Sequence, residues 1–208
     1  QFLVWEFATA LLGRVLEINP FDQPNVTESK DNTAAILAGG LPAETPVATD
    51  GPVQLYGTRA STVEQALTEL VEAVGPDGYL AVMAYLDRHA DAAVAELRPA
   101  LATACGRPVT FGWGPRFLHS TGQYHKGGPQ VGVYLQITGA IPGEDLPVPG
   151  RPYTFGGLQA AQAAGDRQAL ADRGRPVLRL HLTDRAAGIQ RLLAAAASLA
   201  DQAGGHRA

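Results

Sequence analysis

Cysteine is nearly absent: the 208-residue sequence has one, Cys105. A single thiol excludes an internal disulfide framework and a cysteine-rich zinc site. It points to a reducing compartment, the cytosol. Charge is scarce too, at 17% of residues against 46% hydrophobic. The 16 basic residues are outnumbered by 20 acidic ones, a net charge of −4. The chain therefore lacks the basic excess or stripe of a nucleic-acid-binding surface. No apolar run reaches the ~18–20 residues that a membrane helix needs. Glu6 and Arg14 interrupt the N-terminal apolar stretch and no cleavage pattern follows, so it does not read as a signal peptide. Gly112 and Gly114 lack the third glycine of a dinucleotide fingerprint, and no phosphate-loop motif is present.

Glycine and proline are plentiful, 24 and 15 residues. They punctuate apolar segments of two periods. Residues 2–17 place Leu3, Phe7, Ala10 and Leu11 near a period of 3.6, which predicts a helix. Trp5, Val15 and Leu16 widen its apolar face, so burial is expected. The Asn19-Pro20 step stops it. A second helix is predicted from Pro24 to about Leu37, and residues 39–51 read as a Gly/Pro-rich linker. Strand and helix then alternate. Strands are predicted at 53–56, 79–86, 109–111, 131–138 and 177–182. Helices are predicted at 61–74 with a Ser61–Glu64 capping box, at 90–105, at 155–173 and at 184–200, with a frayed tail at 201–208.

This alternation predicts a layered α/β domain over 52–208 with a mostly parallel sheet. Residues 1–38 stand outside it, as the helical end-piece of a preceding domain. The start at Gln1, inside a predicted helix, suggests the C-terminal piece of a longer protein.

Parallel sheets place ligands at the carboxyl ends of their strands. The predicted loop 112–129 follows such a strand. It gathers His119, Ser120, Thr121, Gln123, His125 and Lys126 among five glycines. Hydroxyl, amide, imidazole and ammonium groups beside open backbone suit an anionic ligand such as a sugar phosphate. Histidines in such a loop also suit plain solvation. Without a neighbouring cysteine or carboxylate they fall short of a zinc ligand set, and no metal is expected. His89 reads as a surface residue, and His181, within a strand, as a satisfied core histidine.

Residues 19–30, NPFDQPNVTESK, carry a sharper signal. By helical geometry Lys30 lies two turns into the second helix, on the face of Val26, where a lysine is ordinarily solvated. The pattern N-P-F-D-Q-P-x-V-x-x-x-K, preceded by an apolar helix, resembles the C-terminal signature of the glucose-6-phosphate isomerase family. Residues 113–138 and PYTFGGLQAAQAAGD resemble the C-terminal region of bacterial transaldolase/glucose-6-phosphate isomerase fusions. About 178 residues follow Lys30, more than the short segment of ordinary members.

The resemblance implies a sugar-isomerase (SIS) type three-layer α/β domain, preceded by the C-terminal helices of another SIS domain. It implies interconversion of glucose 6-phosphate and fructose 6-phosphate through an enediolate, without metal or cofactor. It assigns Gln23 to the substrate phosphate and Lys30 to ring opening and charge stabilisation. The Ser120-Thr121-Gly122-Gln123-Tyr124-His125 run is similar to the family's T-x-G-Q-H motif, with one residue inserted and after the lysine in chain order. His125 is the resulting catalytic candidate, with His119, Ser120, Thr121, Gln123 and Lys126 around the phosphate. The catalytic carboxylate is expected upstream of Gln1, so this chain alone should be inactive. The expected partners are a sugar phosphate, upstream isomerase and transaldolase units of the same polypeptide, and a second subunit. The alternative is a non-catalytic phosphosugar-binding or docking module.

Overall fold

The computed structural model describes residues 1–22, 24–116, 121–141 and 143–205. Period-2 apolar patterning builds one six-stranded sheet. Its strands are β1 (Ala48–Asp50), β2 (Val53–Tyr56), β3 (Tyr79–Tyr85), β4 (Val109–Trp113), β5 (Gly132–Gly139) and β6 (Val177–Leu182). The order is β1-β2-β6-β5-β3-β4. β6, β5, β3 and β4 run parallel, and β2 and β1 close one edge antiparallel. The helices are α1 (Phe2–Leu16), α2 (Pro24–Gly39), α3 (Val63–Glu72), α4 (Leu97–Cys105), α5 (Thr121–Gly127), α6 (Phe155–Ala171) and α7 (Arg185–Gly205). The result is the three-layer α/β fold with a mostly parallel sheet that the alternation predicts.

The two sheet faces differ chemically. One carries Leu55, Leu80, Val82, Leu135, Ile137 and Leu180, sealed under α3, α4 and α7 by Leu67, Leu101 and Leu192. Full burial of each such side chain stabilises by about 1.5–3 kcal/mol. The opposite face carries a smaller apolar patch, with Met83 and Tyr134 packed on Ala163 and Leu170 of α6. Beyond that patch the same face turns polar, with Gln136, Thr138, Arg179 and His181. α2 packs on α6. The small side of α6 permits the approach: a Cβ on Gly165 would come within 2.9 Å of the Thr33 hydroxyl.

Several local expectations are corrected. The apolar α1 forms, but Phe2, Trp5, Phe7, Leu11 and Val15 are exposed and only Gly13 is buried. Its apolar residues surround the helix, and no described element covers them. The 39–51 stretch ends in a strand, because Ala48–Asp50 pairs with β2. α3 is capped one residue later than predicted: Thr62 accepts from Gln65 N, and Gln65 Oε1 accepts from Ser61 N. The predicted helix at 90–105 divides into a 3-10 turn (Ala92–Glu96) and α4, with Pro99 in the first turn, where its missing N–H is not needed. The predicted loop 112–129 contains α5, since tertiary bonds to its side chains outweigh the low helix propensity of its glycines. Residues 201–205 continue α7 rather than fraying. Among the described residues no helix is long and apolar enough to cross a membrane.

Candidate functional site

A cavity of about 300 Å³ opens where β3, β5 and β6 reach their carboxyl ends, between the sheet and the first half of α6. This is where parallel α/β sheets place ligands. Side-chain alternation explains its polar wall. The residues flanking Leu135, Ile137 and Leu180 point the other way, so Gln136, Thr138, Arg179 and His181 face the cavity. Gly156, Ala160 and Ala163 of α6 are too small to fill the space opposite. The segment after α2 supplies Leu41, Pro42 and Glu44 to the rim.

Two guanidiniums dominate the charge. Arg179 and Arg167, from β6 and α6, converge on one carboxylate. Glu44 Oε1 accepts a hydrogen bond from Arg167, and Oε2 forms an ion pair with Arg179, 2.9 Å from its Nη2. Arg179 also lies 3.7 Å over the Tyr56 ring, a cation–π contact. Burial lowers the Arg179 pKa, the Arg167 charge adds to this, and Glu44 opposes it. The Nε of each arginine is buried without a hydrogen-bond partner among the described residues.

Beside them, Gln136 is fully buried. Its Nε2 donates to Ala163 O at 2.8 Å, while its Oε1 has no partner among the described residues. His181 Nδ1 lies 2.9 Å from Thr138 Oγ1. Burial, with Arg179 and Arg185 nearby, lowers its pKa, so the imidazole is neutral at pH 7. His181 is therefore a cavity-wall histidine, not the core residue expected. The wall thus offers two cations, a neutral imidazole and a free acceptor, suited to an anionic ligand with hydroxyl groups.

The loop residues form a different cluster. Lys126 is buried, donating to Asp166 Oδ1 at 2.9 Å and to the Ser29 hydroxyl on α2. Asp166 Oδ2 accepts from the Tyr85 hydroxyl at 2.7 Å. Tyr85 also lines the cavity, so the ion pair braces the cavity wall from behind. His125 Nδ1 lies 2.7 Å from Tyr79 Oη, which lies 3.0 Å from Tyr134 Oη. Tyr134 donates its one proton to His125 O at 2.9 Å. All three contacts are hydrogen bonds only if Tyr79 donates to Tyr134 and His125 Nδ1 donates to Tyr79. That assigns the Nδ1–H tautomer. Burial, then the Lys126 and Arg175 charges, lowers the His125 pKa to about 4.

The sequence-predicted residues are thus distributed. His125 and Lys126 sit in the buried cluster, outside the cavity lining. Gln123 is half-buried on α5. Lys30 is exposed on α2, next to the inward-facing Ser29, and does not line the cavity. Gln23, His119 and Ser120 lie outside the described residues, as does the Thr121 side chain. Glu44, Gln136, Arg167 and Arg179 form a site that the sequence pattern does not announce. The signal for two of them is polar residues alternating with leucines in apolar strands. Among the described residues no group of three His, Cys, Asp or Glu could hold a metal ion.

No family model matches the chain, and no curated protein matches it. Among solved structures the chain is similar to the crystal structure of a hypothetical protein, TT0462, from Thermus thermophilus. The identity is 21% and the TM-score 0.55, over 66% of this chain and 39% of that one. The likeness is one of fold, and the match spans about two fifths of that protein's length.

Proposed function

We propose that this chain is the C-terminal portion of a sugar-phosphate isomerase of the glucose-6-phosphate isomerase type, and that its cavity holds the phosphorylated hexose. The observation that carries the reading is the Arg167–Arg179 pair beside Gln136 and His181, at the carboxyl ends of the parallel strands. The guanidiniums suit a phosphoryl group. Gln136 Oε1 suits a sugar hydroxyl. Aldose–ketose isomerisation opens the ring, then moves a proton between C2 and C1 through an enediolate. A neutral imidazole such as His181 can pass a proton during ring opening, and the arginines offset negative charge. The carboxylate that moves the carbon-bound proton comes, on this reading, from the rest of the polypeptide. The NPFDQPNVTESK resemblance supports the same assignment.

A second reading has one observation in its favour. Lys30, to which the resemblance assigns charge stabilisation, lies outside the cavity lining. A non-catalytic phosphosugar-binding module would leave it so. Calorimetric titration of the chain with fructose 6-phosphate, alongside an aldose–ketose turnover assay, tests the proposal. Saturable binding without turnover is expected of this chain alone. Absence of hexose phosphate binding overturns both readings, and turnover overturns the claim that the base lies elsewhere.

A further inference from the structure

Glu44 already occupies the place where an anion would bind. Each of its oxygens is held by a different guanidinium: Oε1 accepts a hydrogen bond from Arg167, and Oε2 forms an ion pair with Arg179 at 2.9 Å. A phosphoryl group has the oxygens to reproduce that bridge and more charge with which to do so. We infer that Glu44 is an internal stand-in for the ligand's anionic group, carried on a strap that must leave when the ligand enters. The inference rests on the reading of the cavity as a phosphosugar site.

The strap has the right construction. Residues 41–46 join α2 to β1 and make no backbone–backbone hydrogen bond among the described residues. The bonds that frame them are Gly40 N to Ile36 O at 2.8 Å and Val47 N to Leu55 O at 2.9 Å. Pro42 and Pro46 remove two donors from the segment. Gly40 has φ 91°, a conformation open to glycine, at the hinge end. Residues 41–45 are exposed. The polar attachment of the segment to the cavity wall is the Glu44 side chain.

The cavity left behind is chemically incomplete with Glu44 in place. Both arginine Nε groups and Gln136 Oε1 remain buried without partners among the described residues. The carboxylate takes only terminal guanidinium nitrogens, NH2 of each arginine. A phosphorylated polyol supplies further oxygens for the Nε–H groups and a hydroxyl for Gln136. Glu44 therefore competes with the ligand, and the apparent affinity equals the intrinsic affinity scaled by the open fraction.

The test compares the wild-type chain, Glu44→Gln and Arg179→Ala, titrated with fructose 6-phosphate and separately with inorganic phosphate. Removing the internal competitor should tighten binding of both about tenfold, as for a strap closed some nine-tenths of the time. Arg179→Ala should weaken both. Hydrogen exchange at the framing Gly40 and Val47 amides, bonded to Ile36 O and Leu55 O, should rise when fructose 6-phosphate saturates the wild type. Unchanged or weaker binding by Glu44→Gln overturns the stand-in role while leaving the phosphosugar site intact. Binding of inorganic phosphate but not fructose 6-phosphate keeps the anion subsite and overturns the hexose reading. No binding of either by wild type or Glu44→Gln overturns both.

Discussion

Lys126 and Asp166 form an ion pair withdrawn from solvent, Nζ to Oδ1 2.9 Å, with side chains 1% and 6% exposed. Ser29 and Tyr85 complete its hydrogen bonds, so the pair ties α2, α5 and α6 to the end of β3. Breaking such a pair from one side leaves an uncompensated buried charge and costs about 3–5 kcal/mol. Asp166→Asn should lower unfolding free energy by that order in urea. Lys126→Met with Asp166→Leu should recover much of the loss, since neither charge remains.

The His125 imidazole titrates at about 4 in the fold, against 6.5 ordinarily. Its folded pKa is depressed, so below pH 6.5 the unfolded chain binds the proton more readily. Stability is therefore full above pH 6.5 and falls between 6.5 and 4, by up to about 3 kcal/mol from this residue. His125→Gln should flatten that acid limb relative to wild type. The remaining slope should reflect His181, whose pKa burial also lowers, and near pH 4.5 the Glu64 carboxylate, which the Arg191 hydrogen bond holds low. Chemical denaturation at pH 4.5 and 7.5 measures both.

Gly165 lets α6 and α2 approach at Thr33. Gly165→Leu places a branched side chain where even a Cβ meets the Thr33 hydroxyl at 2.9 Å. It should loosen α2 and destabilise by about 1–3 kcal/mol. Faster hydrogen exchange in α2, with β3 and β5 unchanged, is the local signature. Glu28, whose carboxylate meets Arg173 at 2.6 Å, should lose that contact too.

Helix α1 buries only Gly13. Removing residues 1–18 should therefore leave the melting temperature within about 2 °C of the full chain, because stability changes follow buried area. A large drop would show that the apolar residues of α1 are packed in solution.

Much of the fold is legible in the sequence because its determinants are local. Leu178, Leu180 and Leu182 alternate with Arg179 and His181, which predicts both a strand and its two faces. The exposure of α1 is illegible for the opposite reason: periodicity reports which residues are apolar, not whether a partner covers them. The polar residues at 112–129 suggest a functional loop, yet Lys126 and His125 turn inward to Asp166 and Tyr79. The cavity escapes sequence reading because its charges come from distant segments. Glu44 and Arg167 stand 123 residues apart, and no spacing rule joins them.

Binding of a phosphorylated hexose in the arginine-lined cavity is the centre of the functional proposal. Calorimetric titration of fructose 6-phosphate into the wild-type chain and into Arg179→Ala tests it most directly. Saturable binding is expected of the wild type, and binding at least about tenfold weaker of the variant, through the loss of a charge-assisted hydrogen bond. Equal affinity in the two proteins, or no saturable binding by the wild type, would contradict it.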